Sequence, residues 1–349
     1  MAGTGAVAPV SPHLSVLDVV PVWSDSDAVT SLRNAVALAE EVERLGYRRY
    51  WAAEHHNTPS LATSAPAVLA GRLAAATTDL RVGSGGVLLP HHSPLAVAEQ
   101  FATLEALHPG RVDLGIGRAA GSDANTARAL GGLLLHGPET FPDRLADLRT
   151  YLDTPARDAS PRTIAALPSP PGVPWLCLLG ASTTSAAAAA ELGLPYAFAH
   201  QLAPHLAEAA LATYHERFRP SPRQREPYAI LSAMVIVGET DEHAREIAQP
   251  YLVRKLRIQA GDFYGLYPSR AEAAAHRFDG TERAWAEEHY ERQLFGGPQR
   301  VAALVSDLLA RTGAAELMGI TLVPEHTERV ASYARLARAV RPTRAAAHR

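Results

Sequence analysis

The sequence predicts a parallel α/β protein, and a (β/α)₈ TIM barrel is the form that it favours. Eight short apolar runs are almost continuous and do not alternate with polar residues, which is the pattern of strands covered on both faces. Helical segments lie between these runs along a chain of 349 residues. Eight strands alternating with helices favour a barrel over a doubly wound sheet.

The elements follow in order. Strands are predicted at residues 14–20, 47–53, 80–88, 111–116, 175–179, 196–199, 229–237 and 317–322. The first helix has Asp27 as its predicted N-cap and ends at Gly46. Further helices are predicted at residues 65–76, 94–107, 144–152, 184–192, 204–218 and 241–258.

One domain at residues 14–340 accounts for this pattern, with a loose tail at residues 1–13 and a short basic tail at residues 341–349. The last two strands are separated by residues 238–316, which is far more than one helix requires. The middle of this insertion, residues 261–270, is rich in glycine and aromatic residues. It is therefore predicted to form a mobile lid.

Composition excludes several classes of protein. A net charge of −3 disfavours a nucleic-acid partner, which requires a basic surface. The single cysteine, Cys177, rules out an intrachain disulfide and lies in an apolar run, which predicts a buried side chain. Neither a signal peptide nor an apolar run of about 20 residues is present, so a cytoplasmic enzyme without a membrane partner is expected.

Glycines and an arginine follow the fourth predicted strand. Residues 115–120 (GIGRAA) match the loose dinucleotide fingerprint, but no acidic residue ends a second strand about twenty positions later. Arg118 is instead suited to a phosphate, because its guanidinium can bind two oxygens. Ser182 and Ser185 open a helix after the fifth strand, where they either bind the same phosphate or only cap the helix.

Two other strands end in unusual residues. Residues 83–86 (GSGG) lack the lysine of a nucleotide-triphosphate loop. Such glycines let a flat ligand lie against bare backbone or permit a strained peptide. The pairs His55-His56 and His91-His92 each follow a strand.

These histidines leave three interpretations open: a base or hydrogen-bond donor, a metal ligand, or a structural group. The zinc-site spacings H-x-H and H-E-x-x-H are absent, so no metal is predicted. Glu54 either orients a histidine or pairs with an arginine.

The chain resembles the bacterial luciferase-like flavin-dependent monooxygenase superfamily. Five ordered segments carry the resemblance: residues 17–22 (LDVVPV), 49–57 (RYWAAEHHN), 82–94, 98–123 and 179–195. Ala120 stands where that family usually has proline, and the chain diverges from residue 260 onward, where substrate contacts are expected.

The resemblance implies a homodimeric barrel that holds reduced FMN (FMNH₂) at the carboxyl ends of its strands. It assigns the catalytic histidine to His55 and implies a non-prolyl cis peptide after the third strand. The cofactor-binding residues that it implies are Gly85, Gly86, Arg118, Ala181, Ser182 and Ser185.

The activity implied is oxygenation of a small organic substrate by O₂ and reduced FMN through a C4a-hydroperoxide, with antibiotic biosynthesis as the expected setting. No second nucleotide motif is evident, so a separate NAD(P)H:flavin reductase is expected to supply FMNH₂. The alternatives are an F420-dependent hydride-transfer enzyme of the same fold, a metal-dependent hydrolase and a non-catalytic flavin-binding subunit.

Overall fold

The computed structural model describes residues 12–119, 123–131 and 140–341, and within them the strands form a closed parallel barrel. Strand β9 pairs with both β1 and β7, and β6 pairs with β7, which closes the ring. The predicted (β/α)₈ barrel is therefore confirmed. Its eight strands are β1 (His13–Asp18), β2 (Arg49–Ala52), β3 (Arg81–Leu88), β4 (Val112–Gly117), β5 (Trp175–Gly180), β6 (Tyr196–Ala199), β7 (Ala229–Val237) and β9 (Glu316–Ile320).

Helices surround the barrel. Asp27 caps the first helix by accepting a hydrogen bond from the Thr30 amide at 2.7 Å, and Gly46 follows its end with φ +74°. The described helices are α1 (Ala28–Arg44), α2 (Pro66–Ala76), α3 (Pro94–Leu107), α4 (Ala124–Ala129), α5 (Phe141–Asp153), α6 (Thr183–Glu191), α7 (Ala207–Arg217), α8 (Asp241–Gln259), α9 (Arg270–Ala275), α10 (Gly280–Glu291), α11 (Pro298–Thr312) and α12 (His326–Val340). The seven predicted helical segments correspond closely to α1, α2, α3, α5, α6, α7 and α8, whereas α4 and α9 to α12 were not predicted.

The insertion between β7 and β9 contains α8 to α11 and a short strand, β8 (Leu294–Gly296), which the sequence did not reveal. β8 pairs with the carboxyl end of β7 and so lies outside the closed ring. The predicted lid segment is joined to the loop after β1: Tyr267 accepts from the Ser24 amide at 2.8 Å and donates to the Val22 carbonyl at 3.1 Å.

A buried ionic network fills the amino-terminal end of the barrel. Arg49 lies between two carboxylates, with 2.7 Å from its Nη1 to Asp113 Oδ2 and 2.8 Å from its Nε to Glu316 Oε1. The Arg49 guanidinium also lies 4.4 Å from the centre of the Trp175 ring. This network occupies the interior end opposite to the strand ends at which barrels bind ligands, so it is structural.

The chain ends depart slightly from the predicted tails. His13 belongs to β1, and Arg341 donates to the carbonyls of Leu45 and Gly46, so neither residue is part of a loose tail. The rest of both predicted tails, and Ala120, lie outside the described residues. Cys177 is fully buried, as predicted. Within the described ranges, no helix has both the length and the apolar character that a bilayer crossing requires.

Candidate active site

A cavity of about 680 Å³ opens at the carboxyl ends of the strands. Its wall combines residues that follow β2, β4 and β5 with side chains of α8 and of the lid segment. All of the site residues predicted from the sequence line this one cavity: His55, Gly85, Gly86, Arg118, Ala181, Ser182 and Ser185.

Gly85 and Gly86 are joined by a cis peptide bond, as the resemblance implies, but the bond lies inside β3 and not after it. The pairing of β3 with β4 shifts register at this point, between Ser84 and Val87. A Cβ on Gly86 would lie 2.8 Å from the Gly115 carbonyl oxygen. Close packing of neighbouring strands thus excludes a side chain here, and bare backbone faces the cavity.

His55 follows β2 and is largely enclosed. Burial lowers the pKa of its imidazole to about 4, although the nearby Glu54 carboxylate acts in the opposite direction. The ring is therefore neutral at pH 7, with one nitrogen protonated and the other free to accept a proton. Its Nδ1 is buried and bonds to none of the residues described.

Glu54 is hydrogen-bonded to other histidines. Its Oε1 contacts His56 Nε2 at 2.8 Å and His92 Nε2 at 2.6 Å, and its Oε2 accepts from the Leu88 amide at 3.0 Å. Burial raises the pKa of Glu54, but these histidines and the amide outweigh it, so the pKa lies below its usual value.

The prediction that Glu54 orients a histidine therefore holds for His56 and His92, and the alternative arginine pair is not formed. The Glu54, His56 and His92 side chains are also close enough to bind a metal ion, with their potential ligand atoms all within 4.8 Å of one another.

Arg118 follows β4 at the cavity wall and is exposed. Its guanidinium makes no ion pair or hydrogen bond with any of the described residues. The buried Arg49, by contrast, forms ion pairs with Asp113 and Glu316. An unpaired guanidinium at the mouth of a cavity is available to an anionic ligand.

The hydroxyls at the start of α6 are used in a capping box. Ser182 Oγ accepts from the Ser185 amide at 3.2 Å, and Ser185 Oγ donates to the Ser182 carbonyl at 2.9 Å. Ser185 Oγ also contacts the Tyr196 hydroxyl at 2.8 Å. The amides of Thr183 and Thr184, in the first turn, have no partner within the helix and are the donors left for an anion.

Sequence reasoning missed the wall that the insertion contributes. Tyr251, Lys255 and Ile258 of α8 line the cavity, and so does Tyr267 of the lid segment. Lys255 could have been singled out from the sequence, because it is the single lysine among the 33 lysine and arginine residues of the chain.

A family model for luciferase-like monooxygenases matches residues 13–316. The chain belongs to the luciferase-like monooxygenase family. Members of this family are oxidoreductases. A relative in Escherichia coli K12, named luciferase-like monooxygenase, is 37% identical to this chain. The match covers 91% of this chain and 94% of the relative. The N-acetyl-S-alkylcysteine monooxygenase of Bacillus subtilis is 43% identical over 54% of this chain and 57% of its own length.

Solved structures agree with the family and the fold. The apo-MsnO8 structure is 39% identical, with a TM-score of 0.87 over 94% of this family member and 98% of that chain. Two remote structures share the fold: the FMN complex of the oxygenating constituent of a Pseudomonas putida 3,6-diketocamphane monooxygenase, and an F420-dependent secondary alcohol dehydrogenase. The diketocamphane monooxygenase structure has a TM-score of 0.71 at 17% identity and covers 96% of this chain and 99% of its own. The alcohol dehydrogenase structure has a TM-score of 0.64 at 14% identity and covers 95% of this chain and 100% of its own. The fold therefore accommodates both FMN and F420.

Proposed function

We propose that this protein is a monooxygenase that uses reduced FMN and O₂ to oxygenate a small organic substrate. One observation carries the proposal: the Arg118 guanidinium, which has no partner among the described residues, the start of α6 at Ser182 and Ser185, and the neutral His55 all line the same cavity. The first two are suited to a phosphate, and the third is suited to moving a proton beside a reacting group.

The residues present fit FMN. Arg118 and the amides of Thr183 and Thr184 would bind its phosphate, since all three are donors without described partners. The bare backbone at Gly85 and Gly86 offers a flat wall for the ring system. The unpaired, buried Nδ1 of His55 offers a polar contact that no described residue satisfies.

Ser185 fits the proposed phosphate site less well than the resemblance implies. Its single hydroxyl proton is already shared among contacts with Ser182 and Tyr196. Its role in this proposal is to hold the first turn of α6 in place beside the cavity. Ala181 adds only backbone to the same wall.

Reduced FMN supplies the electrons that allow O₂ to react, which side chains cannot do alone. His55 then holds or accepts a proton at its free nitrogen, as its neutral state at pH 7 permits. Tyr267 and Tyr251 close the cavity on the insertion side and exclude water from the reacting atoms. Glu54 would hold His56 and His92 in place through its hydrogen bonds.

A separate reductase is the proposed source of reduced FMN. The solved diketocamphane monooxygenase is described as an oxygenating constituent, which indicates that another component completes that system. The substrate is proposed to be a small organic molecule, of the kind that the relative named N-acetyl-S-alkylcysteine monooxygenase oxidises. A role in antibiotic biosynthesis stays a prediction.

A second copy of this chain is the proposed partner at the outer face of α1 and α2. Val29 and Val68 are 58% and 77% exposed there, beside a groove of about 540 Å³ that Leu32 also lines. Exposed apolar side chains grouped around a groove are typical of a protein interface. The groove and the cavity share no lining residue, so this proposed interface would not use the cavity wall.

Anaerobic titration with photoreduced FMN, followed by mixing with aerated buffer, tests the proposal. We expect FMNH₂ to bind. Arg118→Met should weaken that binding about 10-fold to 100-fold, because a hydrogen bond between charged groups is lost. Arg128→Met is the matched control, because Arg128 is also exposed but does not line the cavity.

The same titration with F420 decides between the two cofactors. Binding of F420 with no binding of FMNH₂ would contradict the monooxygenase proposal and indicate hydride transfer. Binding of FMNH₂ that is lost on treatment with a chelator would instead give Glu54, His56 and His92 a metal-binding role.

A further inference from the structure

The single lysine of the chain lies in the wall of the cavity. Lys255 occupies α8, and Tyr251 and Ile258 line the same cavity from positions four residues before it and three after it. Residues at this spacing share one face of a helix. The face of α8 that carries Lys255 is therefore turned toward the ligand space and not toward solvent.

Lys255 has no anionic partner within the described part of the chain. Two carboxylates of the insertion have arginine partners: Asp262 faces Arg254, and Glu291 contacts Arg245 and Arg300. The adjacent Arg254 points elsewhere, with its Nη1 2.6 Å from the Asp262 carbonyl. The ammonium of Lys255 is thus the uncompensated charge on this wall.

The charge is held in unfavourable surroundings. Burial and the neighbouring Arg254 lower the pKa of Lys255, and no carboxylate raises it. The charge of Lys255 in turn contributes to lowering the pKa of His289, whose Nε2 lies 3.0 Å from the Tyr251 hydroxyl. A cation placed among apolar and cationic neighbours has much to gain from an incoming anion.

We propose that Lys255 binds a carboxylate of the organic substrate on the insertion side of the cavity. The inference rests on the proposed function, because it assigns the phosphate of the cofactor to Arg118 and the first turn of α6. Those groups follow β4 and β5, whereas Lys255 belongs to the insertion after β7. The phosphate of the cofactor is thus assigned to Arg118 and the first turn of α6, and the carboxylate of the substrate is assigned to Lys255.

The surrounding wall determines the rest of the substrate class. Met234, Ile320 and Leu322 line the cavity from β7 and from the end of the barrel's last strand, together with Ile258 of α8. A ligand that fits has an apolar body and one anionic end. The apolar body would be positioned for oxygenation while the ammonium of Lys255 holds the carboxylate.

Calorimetric titration with hexanoate in the presence of saturating FMN tests this inference, with 1-hexanol as the uncharged probe. We expect Lys255→Met to weaken hexanoate binding at least about 10-fold and Lys255→Arg to restore it to within about 3-fold. Binding of 1-hexanol and of FMN should be the same in all three proteins. Equal hexanoate affinity in the wild type and Lys255→Met would overturn the inference, as would no hexanoate binding to the wild type.

A second measurement needs no substitution that could disturb the fold. Reductive methylation with ¹³C-formaldehyde labels only Lys255 and the α-amino group, and it preserves the positive charge. We expect hexanoate, but not 1-hexanol, to move the ¹³C-methyl resonance that is missing from labelled Lys255→Met.

The two proposals fail in different ways. Two results together would assign the lysine to the cofactor and overturn the inference. Lys255→Met would bind FMN more weakly than the wild type, and FMN or inorganic phosphate alone would move the Lys255 resonance. If reduced FMN binds to none of the proteins in an anaerobic titration, the proposed function fails. The hexanoate titration without FMN then still decides whether Lys255 binds a carboxylate.

Discussion

Glu54 Oε1 lies 2.6 Å from His92 Nε2, which joins the end of β2 to the segment that follows β3. The same oxygen contacts His56 at 2.8 Å, and the other oxygen accepts from the backbone amide of Leu88. One buried carboxylate therefore connects two strand ends, and it belongs to the residue that precedes the proposed catalytic histidine. Neither of the histidines that it contacts is His55, so its effect on catalysis would be one of position.

Glu54→Gln should destabilise the fold by about 1–3 kcal/mol, because the amide cannot accept all the hydrogen bonds that the carboxylate receives. Urea unfolding at pH 7 measures the difference. Glu216→Gln is the control, since Glu216 is exposed, and it should change the free energy of unfolding by less than about 0.5 kcal/mol. Equal stability of Glu54→Gln and the wild type would show that the carboxylate is dispensable.

The pH dependence of stability should report the burial of His55. Its pKa is about 4 in the folded protein against 6.5 for an ordinary histidine, so the unfolded chain takes up a proton first as the pH falls. This group's contribution is complete above pH 6.5 and is lost between pH 6.5 and 4, by up to about 3 kcal/mol. His55→Gln should remove that part of the slope, whereas His205→Gln, at an exposed position, should keep it.

Turnover should also depend on His55, separately from cofactor binding. General acid–base groups contribute about 100-fold or more to rate, so His55→Gln should slow reoxidation of bound reduced FMN by about that factor. Single-turnover mixing with aerated buffer measures the rate, and an anaerobic titration measures the affinity, which should change less than 3-fold. A large loss of affinity with an unchanged rate would make His55 a binding residue only.

The eight barrel strands could be predicted because most of their residues are buried and apolar. β8 could not be recognised, since three residues, Leu294–Gly296, are too few to carry a pattern. Arg49, Asp113 and Glu316 gave no signal either. They are far apart in the sequence, and only closure of the ring brings their charges within 3 Å of one another.

The site was predictable where residues directly follow a strand, as His55 and Arg118 do. Their position in the chain then determines the edge of the sheet at which they lie. Lys255 and Tyr267 could not be placed in this way, because they belong to a long insertion whose path over the barrel depends on tertiary packing. The partner of Glu54 was unpredictable for a similar reason, as His92 is 38 residues away.

Gly86→Ala should destabilise the barrel even though it adds one methyl group. The new Cβ would lie 2.8 Å from the Gly115 carbonyl oxygen, and backbone inside a barrel cannot move away at little cost. We expect a loss of about 1–3 kcal/mol in urea unfolding. Gly280→Ala is the matched control, because a Cβ there meets nothing within 4 Å. A stable Gly86→Ala protein would mean that β3 and β4 can separate locally.

Val68→Arg should separate the proposed homodimer. Val68 is 77% exposed on α2 beside the groove, and a guanidinium there would be buried against the partner in the proposed dimer. Analytical ultracentrifugation of the wild type should give about twice the 37.2 kDa mass of one chain, and Val68→Arg should give the single mass. Leu202→Arg provides the control, because Leu202 is 73% exposed but is not part of this groove. A wild-type protein that sediments as a monomer, or a Val68→Arg protein that remains dimeric, would remove α2 from the interface.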